Sequence, residues 1–252
     1  MKIALVNRSD STGGAAVVTY RLMQALRAEG VDARMLVLEK LTDDPNVISC
    51  SRPLIDRYNF LSERWNIFLR NGFSRANLFK VDIANHGRNI ARHRWIREAD
   101  VVMLNWINQG FLSLKSIDKL CNLGKPVVWT MHDMWPCTGV CHHAMQCDGY
   151  KHACRGCQYL DSIKVDLSTA VHSRKSKLYA IHPDIQFVAV SNWLAGCCRE
   201  SRLLRNMPLT VIPNAMDARQ FSWERRHGGD LGIAAGKKVV AMGAARLDDS
   251  IK

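Results

Sequence analysis

Short apolar runs separated by stretches of helical spacing constrain the fold of this chain more than any other feature. They fall at residues 2–6, 31–38, 101–104, 126–131, 186–190, 209–212 and 237–243. Unbroken apolar runs mark strands buried on both faces, and helices between them argue for parallel pairing. After the first run, a polar and glycine stretch leads into Val18, Leu22 and Leu26 at helical spacing, and Gly30 stands where a C-terminal cap belongs. This unit of strand, glycine loop, helix and strand opens a Rossmann-like, doubly wound parallel α/β sheet. Further helices are expected at 112–123, at 171–181 and from Ser191, which can cap its own helix. Residues 55–71 and 84–97 read as less regular helices, with apolar positions mixed among Arg and His.

Length and pattern suggest a division. The 252 residues allow one large domain, or one domain and part of another. Residues 1–212 form the expected Rossmann-like domain. Residues 213–236 have no clear period and read as a linker, and 237–252 read as the truncated start of a second domain. The opening MKIALVNRSD is too brief an apolar run for a signal peptide, and no run approaches the roughly 18 residues that span a bilayer. A cytoplasmic protein is expected. The formal charge of +12 favours anionic partners: nucleotides, phosphates, anionic lipid surfaces or nucleic acid. Charge is dispersed, as at Arg88, Arg92, Arg94 and Arg97, and it also fits a solvated basic face.

Residues 131–157, MHDMWPCTGVCHHAMQCDGYKHACRGC, carry the densest chemistry. His132 and Asp133 directly follow an apolar run. At the carboxyl end of a parallel strand, such a His can donate to a sugar hydroxyl or phosphate, and an Asp can accept from hydroxyls. Their ordinary reading is a loop His and a helix-capping Asp. Cys141, Cys147, Cys154 and Cys157 follow with gaps of five, six and two residues. Four thiolates so spaced can close on one tetrahedral structural Zn²⁺, with Cys137, His142, His143 and His152 as substitute ligands. Free thiols are the competing reading, followed by disulfides or redox catalysis. Cys197 and Cys198 read as packed thiols on a helix.

Two other groups point to phosphate. Gly13 and Gly14 open the first helix, where glycine lets a ligand approach and free N–H groups favour anions. The loop matches neither the dinucleotide fingerprint nor the phosphate loop ending in Gly-Lys-Ser/Thr, and alone it is equally a tight turn. Arg246 and Lys252, just past the last expected strand, could clamp a diphosphate or be surface charges.

Taken together, STGGAAVVTYRLMQAL, ADVVMLNWINQGFLSL, VVWTMHDMWP, SNWLAG, VIPNAMD and VVAMGAARLDDSIK resemble, in their order and spacing, the family 4 retaining glycosyltransferases of the two-domain GT-B fold. The MHDMWP segment with its cysteine loop resembles a bacterial subgroup that builds surface polysaccharides. The resemblance implies a nucleotide-sugar donor, a glycan or lipid-linked acceptor, retention of configuration and no obligatory catalytic metal. It sets Gly13 and Gly14 facing the donor diphosphate, His132 beside the transferred sugar, Arg246 and Lys252 on the donor phosphates, and Asn214 and Asp217 at the hinge. The family's downstream glutamate pair does not occur before the chain ends, so a fragment inactive by itself is expected. Peripheral association with the inner membrane is compatible with the charge, although no amphipathic anchor stands out. Two rival readings are a basic zinc-containing nucleic-acid-binding module and a non-catalytic sugar-binding half-domain. Against the first, aromatics are not interleaved with the basic residues as in a base-stacking platform.

Overall fold

The computed structural model describes residues 1–160, 166–216 and 237–238. Its strands are β1 (Lys2–Ser9), β2 (Asp32–Glu39), β3 (Val47–Ser49), β4 (Val101–Leu104), β5 (Val127–Met131), β6 (Gln186–Ala189) and β7 (Leu209–Val211). The helices are α1 (Gly14–Ala28), α2 (Pro53–Arg70), α3 (Arg94–Glu98), α4 (Leu114–Cys121), α5 (Leu167–Ile181) and α6 (Asn192–Glu200). All seven strands lie in one sheet of order β3-β2-β1-β4-β5-β6-β7. Every neighbouring pair is parallel. This is a Rossmann-like, doubly wound sheet, and the direction of winding reverses between β1 and β4.

The unbroken apolar runs fold this way because both faces of the sheet are covered. Successive side chains of a strand point to opposite faces. In β1, Ala4 and Val6 accordingly enter one buried cluster, while Ile3 and Leu5 enter the other. Met23 of α1 packs in the second cluster with Met35 and Val37 of β2. Trp129 of β5 anchors the first, stacked 5.7 Å from Phe187 and within 6.4 Å of Trp135 and Tyr179, centroid to centroid. We expect Trp129→Ala to lower unfolding free energy by about 3–5 kcal/mol, read from denaturant unfolding of the purified chain.

Three local readings change in the structure. β3 is only three residues long, and Ile48 and Ser49 are exposed, so no apolar run announced it. Helix α5 starts at Leu167 rather than 171, because the Asp166 carboxylate accepts from the N–H groups of Ser168 and Thr169. Of the helix expected over 84–97, only Arg94–Glu98 is helical. Upstream of it the backbone is drawn into long-range bonds: Leu114 N–H donates to Ala84 O, and Arg88 N–H to Phe111 O. At Gly87, an added Cβ would lie 2.2 Å from the Ser113 nitrogen, so only glycine fits that approach.

Residues Met1–Ala215 form one compact unit. Asp217 and most of the expected linker and second-domain strand lie outside the described residues; Lys237 and Lys238 are described and exposed.

Candidate active site

Ligands of doubly wound sheets bind beyond the carboxyl ends of the strands, near the point where the strand order reverses. Here that edge is formed by the ends of β1 and β4, with β5 beside them. The three ends are knitted by polar groups. Asn7 Oδ1 accepts from Trp106 N–H at 2.8 Å, and Trp106 O accepts from Arg8 N–H at 2.9 Å. Asn7 Nδ2 donates to Ser9 O. Beyond β1, Ser9 Oγ takes the N–H groups of Ser11 and Thr12. Asp10 takes both N–H groups of Leu41 and Thr42 and the Thr42 hydroxyl. These bonds hold the approach to α1. Burial opposes the Asp10 charge, but its bonds to Thr42 and Leu41 keep its pKa below the usual value.

Gly13 ends this loop at φ 88°, a left-handed backbone that favours glycine, and no side chain caps α1. An added Cβ at Gly13 or Gly14 would meet nothing within 4 Å. The first-turn N–H groups of α1 thus remain available to an anion.

His132 stands one residue past β5. Its Nε2 lies 3.3 Å from Asn105 Oδ1, just beyond β4. The Asn105 Nδ2 donates to Met103 O, so its oxygen faces the imidazole and Nε2 carries the hydrogen. Burial pushes the His132 pKa down to about 4, against a weaker pull from Asp133. The ring is therefore neutral at physiological pH. It can exchange hydrogen bonds with hydroxyls, but it contributes no full positive charge.

Asp133 is placed differently from the expectation that it meets acceptor hydroxyls. Its Oδ1 accepts from Trp135 N–H at 2.8 Å. Its Oδ2 accepts from Trp106 Nε1 at 3.0 Å and pairs with His142 Nδ1 at 2.7 Å. Partly buried and held by three protein donors, it braces the site from behind. Burial opposes its charge, but His142 together with the Trp135 and Trp106 N–H bonds lowers its pKa. Burial also opposes charge on His142, yet Asp133, with help from Asp82, raises its pKa. His142 is thus an ion-pair partner of Asp133, and its ring leans on Trp106 at 5.9 Å. Sequence spacing had offered it only as a substitute metal ligand.

A second buried layer lies behind this pair. Asp82 accepts from Gln109 N–H at 2.7 Å and faces Arg64 at 3.3 Å. Glu63 accepts from the N–H groups of Ile83 and Ala84. Burial and then Asp82 push its pKa well above the carboxylate range, despite Arg64 at 3.2 Å. Burial and Asp82 thus weigh against charge on Glu63, whereas Asp82, despite burial, has its pKa lowered by its bond to Glu63 and by Arg64. At the rim, Arg8 is half-buried, donates to Gln109 O and holds its charge although burial lowers its pKa. Arg8 carried no motif, and Asn105 and Trp106 stood within the ADVVMLNWINQGFLSL segment without a role assigned to them. The signal that could have singled them out was position at a strand end.

The cysteine loop leaves β5 through a 3-10 turn at Trp135–Cys137. Lys175 of α5, fully buried, donates from Nζ to Trp135 O at 2.6 Å and Thr138 O at 3.1 Å. Tyr179 and Ser201 donate to Pro136 O and Cys137 O. Burial pushes the Lys175 pKa down to about 7. The structural zinc expected on Cys141, Cys147, Cys154 and Cys157 finds no support in this arrangement. Among the described residues, no three His, Cys, Asp or Glu side chains are placed to share a metal ion. Cys154 Sγ accepts from Gly139 N–H and Cys147 Sγ from Gly149 N–H. Burial raises the Cys141 thiol to about 12 and Cys154 to about 11. Cys141 is buried and pairs through its backbone with Val81. The loop is closed instead by backbone bonds and by Asp166, which also accepts from Gly156 N–H. Cys197 and Cys198 are free thiols on α6, with Cys198 buried 3.8 Å from Met131 Sδ.

Asn214 is exposed after β7, while Arg246 and Lys252 lie outside the described residues. The Glycosyltransferase Family 4 model matches residues 12–220, which include the Gly13–Gly14 turn, His132 and the cysteine loop. The chain belongs to glycosyltransferase family 4. A relative named "Putative colanic acid biosynthesis glycosyl transferase WcaC", from Escherichia coli (strain K12), is 30% identical over 209 residues, covering 77% of this chain and 50% of the relative. The family 4 chain described here thus spans about half the length of that curated relative. A solved structure, the crystal structure of LpCGTa in complex with UDP, matches 88% of this chain and 55% of its own at a TM-score of 0.42 and 11% identity.

Proposed function

We propose that this chain is the acceptor-side part of a retaining glycosyltransferase of the GT-B fold, moving a sugar from a nucleotide-sugar donor to a glycan or lipid-linked acceptor. The observation that carries the reading is the family match over residues 12–220, which spans the strand-end site built on His132 and Asn105. Polysaccharide biosynthesis is the process suggested by the name of the E. coli relative. Residues 1–212 form the acceptor-side domain, 213–236 the linker, and 237–252 the start of the donor domain. The protein works on the cytoplasmic side, and nucleic acid is not its partner.

Sugar transfer demands stabilisation of the departing nucleotide diphosphate as the sugar gains positive character. The first-turn N–H groups of α1 at Gly13 and Gly14 supply part of that field, and Arg8 adds a fixed cation at the same edge. Arg246 and Lys252 complete the phosphate grip from the donor side. His132, neutral and donating from Nε2 to Asn105, offers Nδ1 as an acceptor to a sugar hydroxyl. Asp133 holds Trp106 and, through Trp135 N–H, the turn that follows His132. It acts as a positioning residue.

The test uses the full-length protein beside residues 1–252, each offered a panel of nucleotide sugars and glycan or polyprenyl-phosphate acceptors. Transfer by the longer protein alone, with the donor's anomeric configuration kept in the product by NMR, is expected. Absence of transfer with every donor would overturn the activity, and an inverted product would overturn retention.

A further inference from the structure

Helix α2 carries its buried side against Asp82 and Ile83 through Glu63, Arg64 and Ile67. Its opposite side is unexpectedly apolar. Leu54, Tyr58, Leu61, Trp65 and Leu69 follow one another at steps of four, three, four and four, which sets them along one stripe, and their exposures run from 39% to 86%. The loop after the helix extends the stripe. Phe73 meets Phe68 edge-on at 5.6 Å, and Phe79, also exposed, stacks on Phe60 at 6.3 Å. A concavity of about 460 Å³ opens between helix and loop, lined by Leu61, Trp65, Phe68, Arg75 and Leu78 with Arg64. An apolar exposure of this extent marks an interaction surface.

Charge indicates what covers it. Arg52, Arg57, Arg70, Arg75 and Lys80 are all exposed around the stripe. The carboxylates of this segment are turned inward: Glu63 and Asp82 are buried, and Asp56 is paired with Arg88. A surface that is apolar along its centre, rich in Trp, Tyr and Phe, and, among the described residues of this segment, basic without exposed acid at its rim matches the boundary between anionic headgroups and acyl chains. A second copy of the chain fits less well, because an isologous contact would press the two sets of arginines together. The geometry points to α2 and the 71–80 loop as the surface by which this protein lies on an anionic phospholipid membrane. Leu61, Trp65 and Phe73 enter the acyl boundary while Arg57, Arg70 and Arg75 meet lipid phosphates. The surface is separate from the strand-end site, and its occupancy is measured without sugar transfer, so failure of one reading leaves the other standing.

The experiment is co-sedimentation of the full chain with vesicles of phosphatidylcholine mixed with phosphatidylglycerol, beside vesicles of phosphatidylcholine alone. Binding at least about tenfold tighter to the mixed vesicles is expected, weakening as salt is raised. Two variants are compared: Leu61→Ser with Trp65→Ser, and Arg57→Glu with Arg70→Glu and Arg75→Glu. Each should lose roughly tenfold or more in vesicle binding while keeping the parent melting temperature, since these side chains are exposed. Equal binding to both vesicles, no binding to either, or parent-like binding by the variants would overturn the proposal. A doubled mass in solution that the same variants abolish would assign the face to a second copy instead.

Discussion

In the full-length protein, His132→Ala is expected to cut sugar-transfer turnover by roughly 10²–10³-fold while leaving nucleotide binding nearly unchanged. The asymmetry follows from the ring's charge and place. Burial holds His132 neutral, with a pKa pushed down to about 4, so it adds little to the attraction of a diphosphate. Its contribution is a directed hydrogen bond at the strand end, fixed by Asn105 at 3.3 Å. A bond that tightens as charge develops on the sugar raises turnover rather than ground-state affinity. Steady-state kinetics with isothermal titration of the nucleotide diphosphate separates the two. Unchanged turnover would remove His132 from the reaction, and an equal loss of nucleotide affinity would move it to donor binding. Because the low pKa keeps the ring neutral, no loss of activity from protonation of His132 should appear between pH 6 and 8.

The second large effect falls on stability. Asp133→Ala is expected to cost about 3–5 kcal/mol, because it leaves His142, whose side chain is only 13% exposed, without its counter-charge and orphans Trp106 Nε1. For a domain of this size, the melting temperature should fall by roughly 6–20 °C. The loss should also depend on pH. The folded pKa of His142 is raised, so its share of the stability is fully present below the unfolded value of about 6.5 and is lost as pH rises through the folded value. The folded pKa of Asp133 is lowered, so its share is present above about 3.9 and is lost as pH falls through the folded value. The difference between parent and variant should therefore be widest in mildly acidic buffer and should narrow on the alkaline side. Thermal melts of both proteins at pH 6 and pH 9 measure it. A cost below about 1 kcal/mol at pH 6 would show that the pair is screened like a surface ion pair.

Much of the fold was legible because strands buried on both faces leave contiguous apolar runs. The run at 101–104 coincides with β4, and that at 126–131 contains β5. The cap at Ser191 was legible for an equally local reason, since its hydroxyl accepts from Leu194 N–H within the same turn. The amphipathic stripe on α2 was hidden because apolar residues occupy both its buried and its exposed sides, which blurs the helical period. The zinc expectation found no support: spacing along the chain said that four sulfurs could meet, but among the described residues no three metal-binding side chains are placed to share an ion.

What the sequence by itself determined was the parallel α/β class, the order of most elements and the strand-end position of His132, all written in nearest-neighbour chemistry. The division of labour at the site was decided only by tertiary contacts. Asp133 meets Trp106 across twenty-seven positions, and Trp106 meets Asn7 across ninety-nine. Glu63 reaches Ile83 and Ala84 from another element and holds that segment out of helix. In a buried site each polar group takes whichever partner the fold brings within hydrogen-bond reach, because leaving it unpaired costs more than local propensity can return. That partner is set by packing at long sequence separation, so it carries no local pattern by which the chain could announce it.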